Sequence, residues 1–366
     1  MKKKVLVIFP NEWLAYTPTL LNLTKETSDD FDFKVLAIDD GTYKNSALSG
    51  EQFDFIPIHP LIPKVQSWLV NAFGASKFYQ LAKIIVLFIR AKAYVGKVDE
   101  VIAIDSAGLW IAQKLFGRCH FMSLELFRDL LFKQCDLSLI ESVIIQTQER
   151  YNYLLGNVDI KTFFIQNAPV YQLSLVKQRD TTSKKAIFLG NGNARNGVYY
   201  CIEAIRNIED ISLTIKGTIS SDDRKQIETQ YADLLKSKKV IIDDRYLEQD
   251  ELIEYLSQFY VGFCFYDLSC TDDTTRFNFV SVPSGKLFNY YAAGVPVIGS
   301  SLPGLISVTE FEAGLLLKNI STEEVLQALE YIDSKHGQLS ENCLKAAAHF
   351  DFNSSVKPFR EYLLSR

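Results

Sequence analysis

The chain is poor in the residues on which most metal and redox sites depend. Its 366 residues include four histidines, His59, His120, His336 and His349, widely separated along the sequence. That scatter argues against a metal site. Six cysteines (Cys119, Cys135, Cys201, Cys264, Cys270 and Cys343) show no C-x-x-C spacing. They read as reduced, mostly buried thiols of a cytoplasmic protein rather than as a disulfide framework. An excess of positive charge is also missing. The net charge is −5, which does not favour nucleic acid as a partner. Long apolar runs are absent too. The run in MKKKVLVIF stops at Phe9, before Asn11-Glu12, and fits a first β-strand better than a signal peptide. Ile84–Ile89 lies between Lys83 and Arg90, far short of a bilayer span.

One local absence runs against the acidic total. From Pro60 to Val98 there is no Asp or Glu, while Lys64, Lys77, Lys83, Arg90, Lys92 and Lys97 are interleaved with Trp68, Phe73, Phe78, Tyr79, Phe88 and Tyr94. A helix over about 76–95 with a basic, aromatic face would suit an anionic membrane surface or a lipid-linked phosphate. The plainer alternative is a solvated face over core aromatics.

What is present is a repeated strand–helix alternation. Apolar segments VLVIF (5–9), FKVLAI (33–38), VIAIDS (101–106), HFMSLEL (120–126) and SVIIQTQ (142–148) read as strands, with helices over 14–27, 108–116 and 149–156. Polar residues 174–184 interrupt the pattern. It then restarts with strands at 185–190, 212–217, 239–243, 261–266, 295–300 and 314–317, and helices at 197–207, 221–237, 251–259 and 284–294. Nearly all-apolar strands between helices predict parallel sheets covered on both faces. The expected fold class is therefore α/β, with two Rossmann-like doubly wound domains and a cleft between them. Residues 1–173 would form the N-terminal domain, 174–184 a linker and 185–340 the C-terminal domain. Residues 341–366 would be a helical segment, broken at Pro358, that crosses back. Loops after strand ends are then where chemistry is sought.

Two motifs fail on inspection. GNGNARNG (190–197) follows a strand, but Arg195 stands where a dinucleotide fingerprint needs its third glycine. A glycine- and asparagine-rich turn at a helix N-terminus remains a good anion site, which Arg195 would reinforce. Ser284-Gly285-Lys286 has the look of a P-loop, yet Val280 and Leu287 occupy the places of its first glycine and its hydroxyl residue.

The stretch PSGKLFNYYAAGVPVIGSSLPG (283–304) resembles the donor-site region of GT-B glycosyltransferases, especially the bacterial family 4-like enzymes. FLGNGNARNGVYYCIEAI (188–205), ESVIIQTQERYNYL (141–154), IQNAP (165–169) and DELIEYLSQFYVGFCFY (250–266) are similar to further family segments in the same order. The likeness is good over about 140–320 and weak before it. It implies a cytoplasmic, metal-independent transferase acting in cell-surface polysaccharide or glycoconjugate synthesis, peripheral to the membrane where the 60–98 region docks. It would move a sugar from a nucleotide diphosphate-sugar, UDP or GDP being unresolved, to a glycan or lipid-linked acceptor. No cofactor beyond that co-substrate is implied. A nucleotide-sugar epimerase of the same fold, or a non-catalytic sugar-nucleotide-binding protein, is the alternative.

The resemblance also places residues. Ser284, Gly285 and Lys286 at a helix mouth would hold the diphosphate, and Lys286 would stabilise the charge that grows on it as the sugar leaves. Gly190, Asn193 and Arg195 would line the same phosphates, with Tyr266 beside them and Arg245 or Tyr246 against the base. Asn289 stands where the family keeps a ribose-binding glutamate, and Ser281 where it keeps the preceding one. Glu125, among Leu124, Leu126 and Phe127, would be a general base with a raised pKa, a salt-bridged structural carboxylate being the alternative. Asn11, Glu12 and Asp105 would face the acceptor, Asp105 otherwise serving as a helix N-cap. Asp272-Asp273 is read as a mobile loop, a donor-sugar contact being the alternative.

Overall fold

The computed structural model describes residues 2–39, 48, 50–57, 78–178, 184–269, 273–281 and 283–366. His59, Lys64, Trp68, Phe73, Lys77, Cys270, Asp272 and part of the expected linker, 179–183, lie outside the described residues. Two compact units result. One is Met1–Ile165 with Ser355–Arg366, the other Gln166–Ser354.

The first unit contains β1 (Lys3–Phe9), α1 (Pro18–Glu26), β2 (Phe31–Asp39), β3 (Phe53–Pro57), α2 (Phe78–Lys92), β4 (Glu100–Ile104), α3 (Asp105–Phe116), β5 (Cys119–Met122), β6 (Ile140–Ile145), α4 (Gln148–Leu155) and β7 (Thr162–Phe164). Its strands form a seven-stranded parallel sheet in the order β3-β2-β1-β4-β5-β6-β7. Val5 to Phe9 and Val101 to Ile104 are buried to within a few per cent, as a sheet covered on both faces requires. The strand order reverses direction between β1 and β4. Helix and sheet pack closely beside that point. A Cβ on Gly108 would lie 2.8 Å from the Ile8 carbonyl oxygen, so α3 can sit there only with glycine.

The second unit contains β8 (Lys184–Leu189), α5 (Val198–Arg206), β9 (Ile211–Lys216), α6 (Ser221–Gln230), α7 (Ala232–Lys236), β10 (Val240–Asp243), α8 (Gln249–Leu256), β11 (Val261–Cys264), α9 (Asp273–Ser281), α10 (Gly285–Ala292), β12 (Val297–Ser300), α11 (Ser307–Glu310), β13 (Gly314–Leu317) and α12 (Thr322–His349). Six parallel strands run in the order β10-β9-β8-β11-β12-β13, reversing between β8 and β11. Two apolar clusters cover the sheet, one built around α5 and α12, the other around α8 and α10.

The C-terminal helix α13 (Phe352–Leu364) differs from expectation. Pro358 lies inside it, and the break falls earlier, at Phe350–Asp351. The Asp351 carboxylate accepts from the Ser354 N–H and starts the new helix. Residues 355–366 complete the first unit. Phe359 and Tyr362 pack on His120 and Phe163, Arg360 pairs with Asp30, and the Arg366 guanidinium donates to Glu141 at 2.6 Å.

Of the basic region expected over 60–98, residues 60–77 lie outside the described residues, and in the described part the basic face is narrower than its composition. Lys83 is buried, with its ammonium 2.6 Å from Glu12, and Arg90 forms a two-pronged pair with Asp54. The exposed side of α2 is instead an apolar stripe, Leu81, Ile85 and Ile89 at four-residue spacing, with Lys92 at its end. Among the described residues no helix is long and apolar enough to cross a membrane.

Candidate functional site

Open parallel sheets place ligands outside the carboxyl ends of their strands, where the strand order reverses. In the second unit that point lies between the ends of β8 and β11. The loop after β8 begins at Gly190, whose N–H donates to the Lys216 carbonyl. The Asn193 side chain accepts from the Asn196 N–H at 3.0 Å, and the Asp267 N–H donates to the Arg195 carbonyl at 3.0 Å. The loops after β8 and β11 are thus tied together. Gly197, at φ 76°, starts α5, and a Cβ there would stand 2.8 Å from the Phe265 backbone. The Arg195 side chain is exposed.

The mouth of α10 lies at the same crevice. Ser284 is the N-cap residue, but its side chain does not cap the helix; it accepts from the Tyr266 hydroxyl at 2.7 Å, in a buried contact. A Cβ on Gly285 would be 2.8 Å from the Asn167 amide nitrogen. Lys286 has turned inward. Its ammonium lies 4.7 Å from the ring centre of Phe188, near the end of β8, and 4.5 Å from that of Tyr266, just past β11. It is buried and has no hydrogen-bond partner among the described residues. Burial pushes its pKa below the usual lysine value, and its titratable neighbours are the thiols of Cys264 and Cys201. So the crevice floor holds an ammonium that, among the described residues, meets ring faces and no hydrogen-bond acceptor.

The remaining expected residues of this unit fall as follows. The Asn289 side-chain amide oxygen accepts from the Gln249 side chain at 2.8 Å. Arg245 folds back on Asp243, with Nε 2.9 Å and Nη2 2.7 Å from its carboxylate. Lys216 enters the same carboxylate from the buried side at 3.3 Å. These contacts, the Arg245 hydrogen bonds foremost, hold the Asp243 carboxyl well below the usual carboxylate range. The Arg245 guanidinium is thereby engaged, while the Tyr246 ring beside it is exposed. Asp273 opens helix α9 rather than sitting in a loop.

In the first unit the strand reversal lies between β1 and β4, and polar side chains bridge it there too. The Asn11 amide donates to Asp105 Oδ2 at 3.0 Å. Asp105 Oδ1 accepts from two successive backbone N–H groups, Leu124 at 2.8 Å and Glu125 at 3.0 Å. Asp105 is the first residue of α3 but does not cap it; its φ of 52° is left-handed, an uncommon state for a non-glycine residue. Burial pushes its carboxyl up to about 7 against the pull of these hydrogen bonds. The loop it holds is fixed on its other side as well. Arg150, fully buried, donates to the Leu124 carbonyl at 3.0 Å, Ser123 Oγ donates to the Glu125 carbonyl at 2.9 Å, and Gln146 donates to the Ser123 carbonyl at 2.8 Å. Glu125 thus stands on a rigid loop past the end of β5, half-buried, in the field of Arg150 and Asp105. Asn11, Asp105 and Glu125 come together. Glu12 does not join them, because it turns to Lys83.

Arg150, Lys216, Phe188 and Gln249 were not singled out in the sequence. Arg150 sits in QERYNYL, which reads as an ordinary amphipathic helix start. Lys216 ends an apolar strand, a position where an unexpected cation was the available signal. Among the described residues, one group of metal-ligand type occurs, Glu100, His120 and Glu141, at the amino ends of their strands, away from Asp105. His120 Nε2 is 3.0 Å from Glu100, and both carboxylates also face Arg366.

No protein-family model matches the chain, and no curated protein matches its sequence. Solved structures do match in shape. Anabaena HepE in complex with UDP superposes with a TM-score of 0.70 at 11% identity, covering 100% of both chains. The UDP-forming α,α-trehalose-phosphate synthase of Burkholderia vietnamiensis gives 0.69 at 12% identity over 99% of this chain and 100% of its own. Sucrose-phosphate synthase of Thermosynechococcus elongatus gives 0.67 at 14% identity over 100% of both. Likeness at such identity speaks to architecture, and with two parallel-sheet α/β units, of seven and six strands, the chain has the two-domain Rossmann-like GT-B fold.

Proposed function

We propose that this protein is a glycosyltransferase, similar to family 4, that moves a sugar from a nucleoside diphosphate-sugar to an acceptor hydroxyl. The observation that carries the reading is the crevice at the β8–β11 reversal. A buried ammonium without a hydrogen-bond partner among the described residues, the N-terminus of α10 and the tied loop 190–197 converge there, a combination that suits a diphosphate. Positive charge fixed at that place favours the transition state, because negative charge grows on the diphosphate as the glycosidic bond breaks. The resolved neighbours include HepE structures with UDP and with UDP-glucose, which supports a uridine nucleotide as the first to try. Glu125 is the general base in this reading, and Asn11 and Asp105 hold the loop that carries it. Asn289 faces the ribose. Transfer draws its positive charge from the protein, without a metal.

The acceptor is lipid-linked in this reading, presented at an anionic membrane face on the inner side of the cell membrane, and the product belongs to cell-surface polysaccharide or glycoconjugate. The exposed stripe of Leu81, Ile85 and Ile89, ending in Lys92, supports that part. A second reading, a sugar-nucleotide-binding protein without turnover, is favoured by the engagement of Asn289 with Gln249. Thermal-shift titration with UDP, GDP, dTDP and ADP is the first test. One of them should raise the midpoint, and silence from all four sinks both readings. Release of free nucleotide from the matching sugar nucleotide, with a lipid extract as acceptor, then separates turnover from binding. Flotation with phosphatidylserine vesicles, wild type against Ile85→Asp, tests the membrane part.

A further inference from the structure

The position of Lys286 poses a physical problem that its phosphate role does not explain. A lysine in the first turn of a helix opposes the helix dipole, and an ammonium enclosed by protein loses its water. Both penalties fall on Lys286, and among the described residues no hydrogen-bond acceptor offsets them. What the ammonium has instead is two ring faces, Phe188 and Tyr266, at 4.7 and 4.5 Å, an arrangement that holds a cation by the quadrupoles of the rings. The residue as a whole is only half-buried, so its stem starts at the surface and its charged end turns in. A second polar atom on the same segment is also buried and unsatisfied, Ser281 Oγ at the end of α9. Native structures keep few such atoms, and two within six residues set this segment apart.

We propose that Lys286 works between two stations: the ring slot it occupies here, and the phosphate oxygens of a nucleoside diphosphate, whose arrival draws it out. This rests on the donor reading of the crevice. The anion reverses both penalties at once, since it cancels the opposition to the helix dipole and gives the ammonium charged acceptors. Tyr266 links the stations. Its ring forms one wall of the slot, and its hydroxyl donates to Ser284 at the mouth of α10. A crevice without nucleotide would thus keep its cation stored, and the apparent affinity for the nucleotide is reduced by the fraction of molecules in which the slot is filled.

The experiment is carbon–proton NMR of the full chain with lysine labelled at the ε-carbon, followed through a UDP titration whose binding is verified by thermal shift on the same sample. Inorganic pyrophosphate is the second probe, because it carries the shared chemistry without the nucleoside. In the free protein one lysine line should lie upfield of all others, shifted by the two rings and absent from Lys286→Met. On saturation it should move to the position of the solvated lysines. A free protein without an upfield line overturns the inference. So does an upfield line that stays in place while UDP binds, an outcome that leaves the donor reading standing. If neither UDP nor pyrophosphate, nor GDP, dTDP or ADP, binds at all, the donor reading fails and the two-station proposal falls with it.

Discussion

Replacing Asp105 with Asn tests how the first unit tolerates a buried carboxyl. Burial raises this group from 3.8 to about 7. A raised carboxyl pKa means that the folded chain holds the proton more tightly than the unfolded chain. Stability therefore falls as pH rises from about 4 to 7 and stays level beyond. At about 1.4 kcal/mol per pH unit, the ionised form costs about 4 kcal/mol above pH 7 and under about 2 kcal/mol at pH 5. Asparagine keeps an acceptor for the Leu124 and Glu125 N–H groups, and the Asn11 amide can rotate to accept from it. Asp105→Asn should thus be more stable than wild type at pH 8, by up to about 4 kcal/mol, with the gap closing toward pH 4. Urea unfolding followed by tryptophan fluorescence suits the measurement, because Trp13 and Trp110 lie in the first unit and the sequence of the second unit, 166–354, contains no tryptophan. A variant less stable than wild type at pH 8, by a margin that widens with pH, would refute the reasoning. It would mean that Arg150, the buried cation nearby, keeps Asp105 ionised and outweighs burial.

Three further outcomes follow from the geometry. Lys286→Met removes an unsatisfied buried charge while keeping most of the stem. It should raise the melting midpoint and weaken nucleotide binding at least about tenfold, the loss of one charge-assisted contact; calorimetry and thermal shift on one preparation read both. Glu125→Gln should lower kcat by about a hundredfold or more with KM little changed, as for loss of a general base; a variant that turns over like wild type removes Glu125 from that role. Gly197→Ala forces a side chain into a left-handed position against the Phe265 backbone, and should destabilise the second unit by about 1–3 kcal/mol, read by urea midpoint.

Both sheets were legible in the sequence because parallel strands buried on two faces leave unbroken apolar runs. What escaped was structure without such a run. The edge strand β3, FDFIP, alternates and is half-exposed, and α9, DTTRFNFVS, has no apolar stripe to betray a helix. Pro358 misled because a proline does not state which helix it interrupts; the capping geometry at Asp351 put the break elsewhere. The positions of site residues were legible, since Asn11, Asp105, Gly190 and Ser284 follow strands or open helices. Their partners were not. Glu12 pairs with a lysine on α2, and the Lys286 slot needs two rings that come from two distant strand ends. Side-chain direction depends on contacts that spacing along a chain does not encode.

The membership of residues 355–366 in the first unit bears on how the protein comes into being. A ribosome must complete the whole second unit before it releases the helix that covers His120 and Phe163 and brings Arg366 to Glu141. Until then the first sheet is a nascent structure with an open seam, exposed to premature association for as long as the second unit is being made.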